Sequence, residues 1–137
     1  MIHRRLDIRN LEWRVDVYID NGSVDPEEVL DCLYSIGASG RSIRKAERLF
    51  DRDLPNEAFT CSPRSGFTCI YIGRATSGEE FLNSVVHELR HLVDDIARYY
   101  HIGNGEAVGY ISGEAAFMLA SDICRLGCPN CTKHYQK

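Results

Sequence analysis

Residues 85 to 91 read VVHELRH, with His87 and His91 four apart and Glu88 directly after the first histidine. On a helix, positions four apart share a face, so both imidazoles can reach one ion. Imidazole suits Zn²⁺, which in catalytic sites takes three protein ligands and keeps one position for water or substrate. Glu88 falls about 100° round the helix from His87, beside that open position. There it can accept a proton from a water that the ion has acidified to a pKa of roughly 7. The competing reading is an amphipathic helix that happens to carry two histidines.

The arrangement needs a helix, and the surrounding residues supply one. Phe81, Leu82, Val85, Val86, Leu89, Leu92, Val93, Ile96 and Tyr100 recur at helical spacing. Ser77 with Glu80 three residues on reads as a capping box that starts it. Upstream, EAFTCS, the turn PRSG and FTCIYIG read as a β-hairpin over 57–73. Downstream, HIGNG is a loop, and EAVGYISGEAAFMLASDICRL reads as one last helix stopped by Gly127 and Pro129.

The N-terminal part is a scaffold. RLDIRNLEWRVDVYID alternates, with Trp13, Val15, Val17 and Ile19 on one face and Arg14, Asp16, Tyr18 and Asp20 on the other, the pattern of a half-buried strand. Asp25-Pro26 opens a helix and Gly37 ends it, and a second short helix carries Ile43, Ala46, Leu49 and Phe50. Together these elements predict one α+β domain over 1–137. Residues 1–55 are scaffold, 57–126 carry the motif, and 127–137 form a cysteine-containing tail.

Bulk properties narrow the function classes. The 137 residues are 44% hydrophobic and 26% charged, the composition of a globular domain. A net charge of −4 lacks the basic balance of a duplex nucleic-acid binder. Arg4, Arg5, Arg41, Arg44, Lys45 and Arg48 read as solvated surface. No apolar run is long enough to span a membrane. MIHRRLDIRN begins with charge and no apolar stretch follows, so the expected location is the cytoplasm. In a reducing compartment the six cysteines are free thiols or metal ligands rather than disulfides.

A strand, then a helix with HELRH, then a helix bearing acidic residues resembles the zincin metallopeptidases. The branch that uses a glutamate as third ligand, the gluzincins, is the closest type. ATSGEEFLNSVVHELRHLVDDI followed by GEAVGYISGE is similar to small single-domain zincin-like proteins of bacterial and phage genomes. The likeness covers about half the chain, 57–126. It implies a short sheet packed on the motif helix, with an antiparallel helix following. It also implies one catalytic Zn²⁺ held by His87, His91 and a glutamate, Glu88 as general base, and a peptide or protein substrate. The strand at 67–73 would line the substrate cleft as an exposed edge.

The third ligand is open between two glutamates. A hairpin of antiparallel helices returns to the level of His91 near Glu114, and the usual gluzincin spacing agrees. The context GEAVGYISG instead matches the resembling small proteins at Glu106. His101, ten residues beyond His91, is a weaker candidate ligand. Tyr110 and His101 are candidate donors to an oxyanion, and Asp94 or Asp95 could orient the histidines. In CRLGCPNCTKH, Cys124, Cys128, Cys131 and His134 could hold a second, structural Zn²⁺, completed if needed by Cys61 or Cys69. Free thiols on a tail is the plainer expectation, and Cys32 belongs to a helix core. Two alternatives to a peptidase stand beside it: a zincin-like module that binds without cleaving, and a structural zinc protein built on the cysteine tail.

Overall fold

The computed structural model describes residues 1–8, 11–103 and 105–127. In chain order they form strands β1 (Ile2–Ile8) and β2 (Trp13–Ile19), helices α1 (Pro26–Ile36) and α2 (Gly40–Arg52), and strands β3 (Ala58–Arg64) and β4 (Phe67–Ile72). Three helices follow, α3 (Gly78–Tyr100), α4 (Gly105–Met118) and α5 (Ala120–Gly127). The fold is α+β, with a four-stranded mixed sheet in the order β1-β2-β4-β3. β2 and β4 are parallel, with Val17 opposite Ile70, while the two outer pairs are antiparallel.

Helices cover both faces of this sheet. On one face Val15, Val17, Ile19, Ile70 and Ile72 pack against Phe81, Val85, Leu92 and Ile96 of α3, with Ile111 and Ala115 of α4 and Leu126 of α5. On the other, Tyr18, Cys69 and Tyr71 meet Val29, Leu33 and Ile36 of α1 and Ile43 and Ala46 of α2. The central strands are therefore closed on both sides. Asp16 and Tyr18, which alternation assigns to a solvated face, are only 1% and 4% exposed. Alternation reports chemistry side by side and is blind to a second layer of helices.

Two strands also occupy the stretch that reads as one. Glu12, in the left-handed region at φ 51°, turns the chain between β1 and β2. The edge assignment moves as well: β4, expected at the margin, lies in the centre, and β3 is the edge. Cys69, Ile70, Tyr71 and Ile72 are all nearly inaccessible, as a strand flanked on both sides and both faces requires. β3 is half-exposed and contains Pro63, which has no N–H to give a second neighbour.

Local signals set the helix ends. The Asp25 side chain accepts from the Glu28 N–H, and Gly37 closes α1 at φ 89°. The Ser77 hydroxyl accepts from the Glu80 N–H at the start of α3. The last helix is divided at Leu119, whose N–H is shared between the carbonyls of Ala115 and Ala116. Its second part, α5, is tied to β1 by Arg4, which donates to both Asp122 oxygens at 2.9 and 3.1 Å. Among the described residues no helix is long and apolar enough to cross a membrane.

Candidate metal centre

α3 turns Phe81, Val85, Leu89, Leu92, Val93 and Ile96 into the core. Each large side chain closed off this way contributes roughly 1.5–3 kcal/mol, so the rotation of α3 about its axis is strongly determined. That rotation decides where the histidines go. Glu88 lies just inside the buried stripe at 3% exposure, and His87 and His91 stand at its margin, exposed.

The two imidazoles face each other. Nε2 of His87 and Nε2 of His91 are 3.1 Å apart, with ring centroids at 4.7 Å and planes at 83°. Two nitrogens bound at about 2.05 Å to a tetrahedral ion lie about 3.3 Å apart, so the pair fits Zn²⁺ with almost no adjustment. Ligand atoms of His87, Glu88 and His91 all lie within 4.8 Å of one another.

Glu88 is held from the sheet. Thr60 Oγ1, on β3, donates to Glu88 Oε2 at 3.0 Å and lies 3.3 Å from the Glu88 carbonyl. Burial raises the carboxyl's proton affinity above the usual range, opposed by the Thr60 bond and by the two histidines. Removing water from a charged group disfavours the charged form, and one neutral hydroxyl restores only part of what hydration supplied.

The site opens into a groove. A cavity of about 440 Å³ is lined by Asn83, Ser84, His87 and Glu88 on one side and by Arg52 and Ala58 on the other. Leu49 and Arg52 also line a larger cavity of about 860 Å³, which runs on past Phe59, Thr60, Cys61 and Ser62. The floor is thus the edge strand β3, and α2 and α3 form the walls.

The other expected site residues lie elsewhere. α3 packs on β3 and β4, whereas α4 packs on α3 and β1, at the opposite margin of the sheet. Glu106 is exposed in the first turn of α4, Glu114 is half-buried on the same helix, and Tyr110 is 74% exposed. None of the three joins the histidine group, because α4 lies on the β1 side of α3 and the histidines open toward β3. His101 caps α3 in the left-handed region. Ten residues of helix place it about 15 Å along the axis from His91, too far for a shared ion. Asp94 is exposed, and Asp95 is engaged by Arg98 at 2.9 Å rather than by a histidine.

Of the cysteines, Cys32 and Cys69 are buried between the sheet and α1, and Cys61 is half-buried on β3. Cys124 is exposed on α5, on the face of the sheet opposite Cys69. Cys128, Cys131 and His134, and with them the second zinc site, lie outside the described residues. Thr60 is the contributor that the sequence does not announce. A threonine in a strand is ordinary, and it meets Glu88 across 28 positions of chain only because β3 is the edge under α3.

In comparison with known proteins, no family model, curated protein or solved structure matches the chain.

Proposed function

We propose that the chain is a small zinc-dependent peptidase of the zincin type. The observation that carries this reading is the meeting of His87 Nε2, His91 Nε2 and the buried Glu88 carboxylate at the mouth of a groove. His87 and His91 would hold the ion. Zinc there would supply a Lewis acid for a carbonyl oxygen and a water acidified into the neutral range.

The chain's own residues do the rest. Thr60 fixes Oε2 of Glu88, which leaves Oε1 to take a proton. A carboxylate with raised proton affinity is a better base than one in water, and it can return the proton to a leaving amine. The core packing of α3 keeps the three groups from separating, so little reorganisation accompanies the transfer. β3, with a sheet neighbour on one side only, runs along the groove where an extended chain would lie.

A second reading follows from the same geometry. Among the described residues, the three ligand-capable groups that come together belong to one helical turn, and α4 adds none. Glu88 would then be a ligand, and the domain a metal-binding module without hydrolysis.

Zinc content per chain, measured on protein prepared without added metal, tests both. Under the peptidase reading wild type carries about one zinc at this site, His87→Ala loses it, and Glu88→Gln keeps it but cleaves no peptide. Under the module reading Glu88→Gln loses zinc along with His87→Ala. A zinc content that His87→Ala leaves unchanged belongs to other ligands and removes the basis of both.

A further inference from the structure

Along the groove leading away from the histidines, α2 presents one type of charge. Lys45, Arg48 and Arg52 occupy positions i, i+3 and i+7 of α2 and all line the groove, and Arg98 of α3 faces them across it. Two of these four already have partners in the fold: Arg52 is bound to Glu57 at 2.8 Å, and Arg98 to Asp95 at 2.9 Å. Lys45 and Arg48 are exposed, and among the described residues no carboxylate of the groove is paired with either. Among the described residues, Asp95 is the one acidic residue lining the larger cavity, against four basic ones. A chain with a net charge of −4 therefore carries more positive than negative charge along the larger cavity. Walls of low dielectric focus such a field on whatever lies between them.

We propose that the groove takes an extended peptide with acidic side chains on one side of the bond to be cut, and that Lys45 and Arg48 select them. This rests on the peptidase reading of the His87–His91 site. From Lys45 to Arg52, α2 advances about 10 Å, roughly three residues of an extended chain. Alternate residues of a strand project the same way, so two acidic side chains two positions apart match the Lys45–Arg48–Arg52 row. The edge strand β3 beneath them suits an extended peptide better than a nucleic acid. The lining of the larger cavity carries one aromatic, Phe59, where a single-strand binder needs a series of stacking platforms.

Binding measured without cleavage separates this inference from the peptidase reading. The probes are a fluorescein-labelled peptide of alternating Glu and Ala, the same peptide with Gln for Glu, and an oligothymidylate of equal charge. Fluorescence anisotropy on Glu88→Gln protein is expected to show the Glu peptide binding roughly tenfold tighter than the Gln peptide, with the margin shrinking as salt is added. Lys45→Glu/Arg48→Glu, two changes at exposed positions, is expected to erase the margin while zinc content stays that of the parent. Equal binding of the two peptides overturns the inference, as does an unchanged margin in the double variant. Tighter binding of the oligonucleotide than of the Glu peptide also overturns it. If the Glu peptide is preferred but wild type does not cleave it, the acidic specificity stands and the peptidase reading falls.

Discussion

Asp16 and Glu88 are carboxylates closed off almost equally, at 1% and 3% exposure, on opposite faces of the sheet. Burial pushes the Asp16 carboxyl up, but His3 at 2.9 Å, Arg5 at 3.0 Å and Arg14 at 3.3 Å outweigh it and hold the group below its ordinary value. Glu88 meets the same burial with one threonine hydroxyl, and its carboxyl stays above its ordinary value. Asp16 is an anion tied down by cations from β1 and β2. Glu88 has one hydroxyl donor at the mouth of an open groove, and the proposed function makes it the base. Equal burial with unequal partners separates a carboxylate that holds the fold from one that the proposed function has exchange a proton.

Four expectations sharpen or break that contrast. The largest concerns Glu88. Its replacement by Gln should lower peptide cleavage by roughly 10²–10⁴-fold at unchanged zinc content, the range for loss of a positioned base. A cleavage assay on matched preparations checks it, and a variant that retains full activity removes Glu88 from the chemistry.

Asp16→Asn comes second. Leaving three basic groups without their anion should cost about 2 kcal/mol in urea unfolding, below the roughly 3–5 kcal/mol of fully buried pairs because Arg5 and His3 reach solvent. The difference should depend on pH in one direction. A group with a lowered folded pKa stabilises fully above its unfolded value of about 3.9, and the contribution fades as pH falls through the folded value. The gap between wild type and Asp16→Asn should therefore be complete at neutral pH and close in acid. A gap that persists there would trace the loss to packing.

Thr60→Val is expected to cost about 1 kcal/mol of stability, the usual net worth of one hydrogen bond. It should also slow cleavage several-fold, and Thr60→Ser should restore both. The smallest effect is opposite in sign. In metal-free protein at neutral pH, Glu88→Gln should raise the melting temperature, because it removes a charge that burial penalises. Calorimetry on the metal-free protein decides this, and a lower melting temperature would mean that Glu88 is stabilised as fully as Asp16.

Much of the local structure is legible in the sequence, for definite reasons. Asp25 and Gly37 delimit α1, and Ser77 starts α3, because caps act over three or four residues that sit together in the sequence. The spacing of His87, Glu88 and His91 places the three together on any helix, so their convergence needed no knowledge of the sheet. Alternation assigns Tyr18 and Asp16 to solvent, and the resemblance puts β4 at an edge; both fail because the answer depends on which elements lie beside the strand. Glu114 is a candidate by spacing along the chain and Glu106 by the resemblance of its context, and neither says on which side of α3 the next helix lies.

The sequence by itself determined that α3 exists, that its buried stripe includes the flank of HELRH, and that two imidazoles share one turn. All of these follow from the 3.6-residue period acting within a single segment. Only the tertiary structure decided what those groups face. Ordering the sheet β1-β2-β4-β3 put Thr60 under Glu88 and left β3 as the groove floor. It also set α4 beyond reach of the histidines and brought Lys45 and Arg48 over the groove. The reason is that strand order is settled by burial of whole faces, a sum over residues far apart in the chain that no local pattern records.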